Sequence, residues 1–276
     1  MVRLLVLLIS CCYAVTACAQ GSPLPDGTTV VVQSFNSTLL DQERQLYVSL
    51  PPGYDTMTQP LPVIYVLDGE SRFNVSQGII AYSRYSAMLP PAIVVGLPNR
   101  SREERTRFYL PEEGSFPNQF LAHLATEVLP FVERTYRTGG GDRYLIGHSH
   151  GAVFTLYALL HRPELFRGYL ASDPSVKFLI EPAAELLREQ YEGQRLFLSS
   201  TDVAYGYAED VRDDIHSDQA TFVALLRQRA PAGLELATDH IADDHGNGYV
   251  AGLSLGLRYL FFGWQRPAAL AAEATD

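Results

Sequence analysis

The sequence predicts an α/β fold with a mostly parallel central sheet of about eight strands and helices on both faces. Short apolar runs alternate with helical stretches and show no internal repeat, which is typical of strands joined by helical crossovers. Two runs, residues 61–67 and 92–97, are almost continuously apolar, as expected of strands buried on both faces. A short polar link joins the first two strands, which predicts an antiparallel start to the sheet.

The strands follow from residue type and from the residues that end them. β-branched residues predict the first strand, alternation predicts the second, and Pro51-Pro52-Gly53 ends it. The later runs are short, apolar and bounded by polar or turn residues. Strands are predicted at residues 28–32, 46–50, 61–67, 92–97, 144–146, 167–171, 195–200 and 234–238.

The helices follow from apolar residues at helical spacing. Phe120, Leu124 and Val128 recur in this way, and Gly139-Gly140-Gly141 is predicted to end their helix. The arginine-rich residues 99–107 favour a solvated surface loop over a substrate-binding segment. Helices are predicted at residues 73–88, 118–136, 153–160, 181–191, 217–229 and 249–262.

The chain divides into one domain and short flanking segments. Residues 20–27 have the Gly and Pro content of a linker, and the Ala-rich residues 265–276 predict a frayed tail. Residues 28–264 are long enough for one large domain with a substantial core.

Residues 1–19 predict an export signal and are no part of the fold. Arg3 precedes an apolar stretch that is too short to span a bilayer as a permanent helix. The residues before Gln20 fit ordinary signal-peptidase cleavage. The four residues ending at Cys18 also resemble a bacterial lipobox, in which case Cys18 would carry the lipid and tether the protein to a membrane. Both routes are open, and both predict a periplasmic or secreted protein.

Charge and cysteine placement exclude several classes of function. The chain has 21 basic and 31 acidic residues, a formal charge of −10, and loss of Arg3 with the signal leaves 20 basic residues against 31. A nucleic-acid partner needs a basic face, so none is predicted. The three cysteines, at positions 11, 12 and 18, lie in the signal, so the domain has neither a disulfide nor a thiol nucleophile. No cofactor is predicted.

The most informative stretch is Gly147-His148-Ser149-His150-Gly151. A predicted strand precedes it and a predicted helix follows it, and this is the context in which GxSxG marks a nucleophile turn. Such a turn strains its central residue, and the flanking glycines avoid clashes with neighbouring backbone. The turn also puts the Ser149 hydroxyl at a helix N-terminus, where the dipole favours developing negative charge. Ser149 is therefore the predicted nucleophile.

Polar residues follow the carboxyl ends of five predicted strands. These ends share one edge of a parallel sheet, where sites of open α/β sheets form. We therefore expect the five side chains to converge on that edge. They are Glu70, Ser149, Asp173, Asp202 and His245.

Seven segments, taken in order and spacing, carry a family resemblance: Leu50-Pro51-Pro52-Gly53-Tyr54, Pro62 to Glu70, Ile93-Val94-Val95-Gly96, Ile146 to Gly151, Asp173-Pro174-Ser175, Asp243-Asp244-His245-Gly246 and Gly256 to Phe261. They resemble the "putative esterase" family of α/β hydrolases, which includes S-formylglutathione hydrolase, siderophore esterases, feruloyl esterases and mycolyltransferases. The resemblance covers about residues 30–262 and implies the α/β-hydrolase fold. The chain departs from the family at Ala152, usually Gly, and at Asp173, where the family usually has Ser-Pro-Ser.

A serine hydroxyl needs a base that takes its proton during attack. His240 and His245 both follow the last predicted strand. His245 lies in the loop before the closing helix, resembles the family's base position and keeps the chain order Ser, acid, His. His245 is the predicted base and His240 the alternative. His148 and His150 flank the nucleophile and cannot easily reach back to its hydroxyl.

The acid that orients the base is predicted to be Asp202. It follows the strand before the last and resembles the family's acid position. Glu209, Asp210 and Asp173 stay open as alternatives. Asp173 follows the strand after the nucleophile's own, from which a carboxylate could also reach His245.

The oxyanion requires two backbone donors. The N–H of His150, the residue after the nucleophile, is one, and the N–H of Glu70, in the loop after the third strand, is the other. A metal site built from His148, His150 and the Asp243-Asp244-His245 run is disfavoured, because residues on so tight a turn point apart and no metal-binding motif accompanies them.

The sequence thus predicts an exported serine esterase that acts through an acyl-enzyme on a small-molecule ester. An acyltransferase would use the same triad, and a non-catalytic binding protein could keep the fold. The acidic balance favours an apolar or neutral ester over an anionic ferric siderophore. Oligomeric state is not predicted.

Overall fold

A computed structural model gives the fold. It describes residue 24 and residues 26–86, 88–187, 191–203, 209–229 and 232–263. The predicted export signal at residues 1–19, the lipidation candidate Cys18 and the predicted tail at residues 265–276 lie outside the described residues, as does most of the linker.

The centre of the fold is an eight-stranded sheet in the order β1-β2-β4-β3-β5-β6-β7-β8. β1 and β2 form an antiparallel pair, β2 is antiparallel to β4, and the remaining neighbours are parallel. The predicted mostly parallel sheet with an antiparallel start is confirmed. The strands are β1 Thr29–Ser37, β2 Gln42–Leu50, β3 Leu61–Leu67, β4 Ile93–Leu97, β5 Thr138–His148, β6 Gly168–Ser172, β7 Arg195–Val203 and β8 Glu235–Asp244.

Helices cover both faces of the sheet. A buried apolar cluster on one face joins α1 and α8 to the strands, and a larger cluster on the other face joins α2 to α7. A five-residue π-helical stretch, Leu124–Val128, links α3 to α4. The helices are α1 Gly69–Tyr85, α2 Arg102–Tyr109, α3 Pro117–His123, α4 Leu129–Thr135, α5 His150–His161, α6 Lys177–Leu186, α7 Glu209–Arg229 and α8 Gly248–Leu260.

The predicted surface loop at residues 99–107 is wrong, because most of it forms α2. Ser101 caps this helix by accepting a hydrogen bond from the backbone N–H of Glu104 at 3.1 Å, which satisfies a donor that the first turn leaves free. The Arg44 guanidinium holds the Glu104 carboxylate at 2.9 Å. The helix therefore packs beside the sheet edge where the predicted site residues lie.

Two further boundaries differ from expectation. Gly139, Gly140 and Gly141 lie within β5 and do not end the preceding helix, because β5 begins at Thr138. The helix predicted at residues 181–191 begins earlier, at Lys177, so Pro182 lies inside α6. Among the described residues, no helix combines the length and the apolar character needed to cross a membrane.

Candidate active site

Ser149 occupies the sharp turn between β5 and α5. Its φ of 58° and ψ of −123° lie in a strained region for a residue with a side chain. A Cβ on Gly147 would lie 2.2 Å from the carbonyl oxygen of Gly151, so only glycine fits there. The Ser149 N–H donates to the carbonyl of Ser172 at 3.0 Å, which ties the turn to the end of β6.

Ser149 and His245 line the same two neighbouring cavities. The first has a volume of about 520 Å³ and also exposes His150 and Asp173. The second has a volume of about 470 Å³ and also exposes Glu70. Both volumes suit a small organic molecule. The structure therefore brings four of the five predicted strand-end residues to one place, together with His150.

The carboxylate of Asp173 orients His245. Its Oδ2 lies 2.7 Å from Nδ1 of the imidazole. The hydroxyl of Thr201 also donates to Oδ2, at 2.5 Å, and the amide of Gln219 donates to Oδ1 at 3.0 Å. Asp173 is buried, and with Nδ1 bound to it the Nε2 side of the ring faces the cavity that holds Ser149.

The hydrogen bonds keep the Asp173 carboxylate charged. Burial alone raises its pKa, but the bonds from His245, Thr201 and Gln219 outweigh burial and hold the pKa below its ordinary value. A carboxylate that stays ionised can fix one tautomer of His245 and stabilise the imidazolium that forms when the base takes a proton.

The prediction that Asp202 partners His245 is wrong in this geometry. β7 extends to Val203, so Asp202 lies inside a strand. Its side chain is about half exposed, whereas that of its neighbour Thr201 is buried and bonded to Asp173. Its Oδ1 lies 2.5 Å from Nε2 of His240, whose Nδ1 lies 2.9 Å from the Ser200 hydroxyl. Asp202 and the alternative base His240 form an exposed pair of their own.

The other two acid alternatives, Glu209 and Asp210, lie in the first turn of α7, and their side chains fall outside the described residues.

Two backbone donors are available beside the nucleophile. His150 is the first residue of α5 and Glu70 lies in the first turn of α1, where N–H groups have no partner within the helix. Both residues line a cavity with Ser149. The Glu70 carboxylate accepts a bond from the Asn99 N–H at 2.9 Å, which fixes this turn. Burial lowers the pKa of the His150 imidazole to about 4, so this ring is neutral.

Asp68 and Arg105 form a buried ion pair close to Glu70 that the sequence did not predict. Asp68, at a φ of 56° before α1, accepts two hydrogen bonds from Arg105, at 2.6 and 2.8 Å. Asn99 donates a further bond to Asp68 at 3.0 Å. Arg105 also donates to the carbonyl of His148 at 3.3 Å. One guanidinium therefore joins the turn after β3 to the turn that carries Ser149.

We expect Arg105→Met to lower the free energy of unfolding by about 3 kcal/mol, because the carboxylate of Asp68 would be left buried without its counter-charge. The loss corresponds to a fall in Tm of roughly 6–12 °C for a domain of this size. Urea denaturation and a thermal scan measure both quantities.

Arg162→Met is the matched control. Arg162 pairs with Glu164 on the surface, where both side chains are about half exposed, so its removal should change the free energy by less than about 1 kcal/mol. Equal losses in the two variants would contradict the importance of the buried pair.

Metal ligation has no support in the described residues, where no group of three or more His, Cys, Asp or Glu side chains is placed to hold an ion.

Comparison with known proteins identifies the family. A sequence model of the family described as "Putative esterase" matches residues 37–205. The chain is 32% identical over 158 residues to the uncharacterised protein YjcH of Bacillus subtilis, and 35% identical over 127 residues to a siderophore enterobactin esterase of Emericella nidulans. These matches cover 55% and 44% of this chain, and 64% and 41% of the relatives' own lengths.

Among solved structures, the chain is similar to an IroE-like serine hydrolase from Shewanella oneidensis. The TM-score is 0.74 and the sequence identity 26%, with 84% of this chain and 80% of the other covered. The fold also matches the BES protein of Bacillus cereus, with a TM-score of 0.72, 21% identity, and 89% and 98% covered. The family match spans more than half of the chain, and this protein belongs to the "Putative esterase" family.

Proposed function

We propose that the protein is a serine esterase in which Ser149 attacks the carbonyl carbon of a small-molecule ester. The observation that carries the proposal is the arrangement of Ser149, His245 and Asp173 around one cavity, with the Asp173 carboxylate on Nδ1 of the imidazole. A hydrolytic triad needs a serine, a histidine and a carboxylate on Nδ1 of that histidine, and this arrangement supports one. The family and its siderophore-esterase relatives support the same chemistry.

The reaction divides into two steps. His245 takes the hydroxyl proton as Ser149 attacks, and the N–H groups of His150 and Glu70 bind the oxyanion. His245 then protonates the departing alcohol, which leaves an acyl group on Ser149. Water, deprotonated by His245, releases the acid and restores the hydroxyl. A non-aqueous acceptor would turn the same acyl-enzyme into a transferase intermediate.

Within this function, we propose an ester that carries a negative charge. Net charge favoured a neutral substrate, but the local field differs. Four arginines, Arg72, Arg100, Arg102 and Arg105, line the cavity beside Ser149 with two carboxylates, Asp68 and Glu70. Arg105 pairs with Asp68, whereas among the described carboxylates none forms an ion pair with Arg72 or Arg102. The named siderophore esterases among the relatives suggest the esters of siderophores as one source of such a substrate.

Two esters that differ in charge test both the esterase activity and the preference for a negatively charged substrate. We expect hydrolysis of p-nitrophenyl hexanoate and faster hydrolysis of the p-nitrophenyl half-ester of adipic acid, which has the same acyl length and a free carboxylate too distant to expel p-nitrophenolate readily by ring closure. Arg102→Gln should reduce the preference for the charged ester about tenfold, the effect of losing roughly 1.4 kcal/mol of attraction. Arg134→Gln is the control, because Arg134 is an exposed residue of α4 that lines neither cavity.

Failure to hydrolyse either ester would contradict the proposed esterase. Hydrolysis with no dependence on Arg102 would contradict the anionic substrate alone.

We also propose export of the protein, as residues 1–19 predict, with Cys18 as the residue that would carry a lipid.

A further inference from the structure

The proposed base His245 is one end of a stack of four side chains, and the reaction as written gives no role to the ring that packs against it. The ring of His148 lies 4.5 Å from the ring of His245, measured between centroids, with 36° between their planes. On its other side the ring of Tyr249 lies at 5.3 Å, edge to face. The Arg72 guanidinium lies 4.7 Å from the Tyr249 ring centre. The stack joins α1, α8 and β5 to the loop that carries His245.

The far end of this stack is rigid. Tyr249 is buried in the first turn of α8, and its hydroxyl shares a 2.7 Å hydrogen bond with the hydroxyl of Ser76. The Ser76 hydroxyl lies 2.7 Å from the carbonyl of Arg72, within α1. His148 is the last residue of β5 and is 1% exposed, and its ring lies between the rings of His245 and Tyr249.

The near end of the stack carries the group that must be positioned. His245 lies in a short loop after β8, and about a quarter of its side chain is exposed to the cavity. The Asp173 carboxylate holds one corner of the imidazole through Nδ1, but a single hydrogen bond leaves the ring free to rock about that contact. A flat partner against the ring face removes this freedom.

The flat partner stays neutral during the reaction. Burial, assisted by the positive charges of His245, Arg72 and Arg105, lowers the pKa of His148 to about 2, against the opposing effect of Asp173. When His245 takes the proton of Ser149 and becomes positively charged, it therefore faces an uncharged aromatic ring and meets no repulsion from a second imidazolium. The ring nitrogens of His148 are hardly used: Nδ1 lies 3.4 Å from the Ser172 hydroxyl, and Nε2 has no hydrogen-bond partner among the described residues.

We propose that His148 is a positioning residue for the base: its ring packs against His245 and holds the imidazole with Nδ1 on Asp173 and Nε2 toward Ser149. The inference rests on the proposed function for its effect on rate, and on the geometry alone for its effect on His245. The flat face of the ring, and not its hydrogen-bonding nitrogens, is the feature that matters. Misplacement of a reacting group by about 1 Å costs on the order of 100-fold in rate, so loss of the face should be measurable.

Two apolar substitutions separate the ring face from simple filling of space. His148→Phe keeps a flat ring, and His148→Leu fills a similar volume without one. We expect kcat for the p-nitrophenyl esters to stay within about threefold of the parent in His148→Phe and to fall roughly 10- to 30-fold in His148→Leu, inside the range for a misplaced catalytic group. KM should change less than kcat in both, because the arginines that line the same cavity as His148 stay in place.

A spectroscopic readout is independent of turnover. The proton that His245 Nδ1 shares with Asp173 should give a far-downfield proton NMR resonance, which persists in His148→Phe and broadens or disappears in His148→Leu. If the parent protein hydrolyses no ester, the proposed function fails and the resonance still tests the stack. Equal losses in the two variants, or an unchanged kcat and resonance in His148→Leu, would overturn the positioning role.

Discussion

Ser149→Ala is expected to lower kcat/KM for ester hydrolysis by roughly 10⁵- to 10⁶-fold, the loss that follows when a hydrolytic triad is deprived of its nucleophile. Alanine removes one oxygen atom and leaves the turn intact, because the strained φ of 58° is imposed by the backbone and by the glycines on either side. Initial rates on p-nitrophenyl hexanoate measure the effect, with far-ultraviolet circular dichroism as the check on folding.

Ser175→Ala is the matched control for this loss. Ser175 lines the same cavity as Ser149 but lies beyond Asp173 and Pro174, outside the nucleophile turn. We expect its activity to stay within a few-fold of the parent. A Ser149→Ala protein that is folded and still hydrolyses the ester at a comparable rate would contradict the proposed mechanism.

Asp173→Asn is expected to lower kcat about 10⁴-fold, as replacement of the orienting acid does in other triads. The asparagine is nearly the same size, and its oxygen can still accept from Gln219. Its NH2 then takes the place of Oδ2, where it donates to Nδ1 and selects the tautomer of His245 that cannot accept a proton at Nε2, while the Thr201 hydroxyl must turn to accept. The charge that stabilises the imidazolium is also lost. Pre-steady-state kinetics should place the loss on formation of the acyl-enzyme.

The Asp202→Asn variant tests whether Asp202 or Asp173 is the acid of the triad. The Asp202 side chain is about half exposed and contacts His240 outside the cavity, so we expect kcat to change by less than about threefold, in line with the small effects of surface ion pairs. A large loss in Asp202→Asn together with an active Asp173→Asn would restore the acid that the sequence favoured and contradict the structural assignment.

The turn that carries Ser149 and the position of His245 beside it could be predicted because their signals are local. A strand, a glycine-flanked serine and a helix occur within about twenty residues, and the only further requirement for His245 is that it follow the last strand. Continuous apolar runs, such as residues 61–67, likewise made most strands of the sheet predictable, because such runs are typical of buried strands.

The identity of the acid could not be predicted, because it depends on which carboxylate lies within reach of His245, and the sequence does not give that distance. The choice between Asp173 and Asp202 turns on where β7 ends, since two more residues of strand direct Asp202 away from the site. One signal was present. The chain departs from the family's usual Ser-Pro-Ser at Asp173, and this substitution puts a carboxylate at the end of β6, next to the strand that carries Ser149.

Helix α2 could have been predicted from a local pattern, whereas its ion pair with Asp68 could not. Ser101 followed three residues later by Glu104 is the pattern of a helix cap, so the helix could have been predicted. The contact of Arg105 with Asp68 spans 37 residues of chain and two turns at the sheet edge, and no local pattern indicates it.

The most direct test of the central claim is the intact mass of the protein after treatment with a fluorophosphonate, followed by peptide mapping. An activated Ser149 predicts one covalent phosphonyl group per chain on the peptide that contains residues 144–157, and no adduct in Ser149→Ala. Asp173→Asn should react far more slowly than the parent, and Asp202→Asn at the parent rate. An unmodified parent protein, or an adduct on a different residue, would contradict the assignment of Ser149 as the nucleophile.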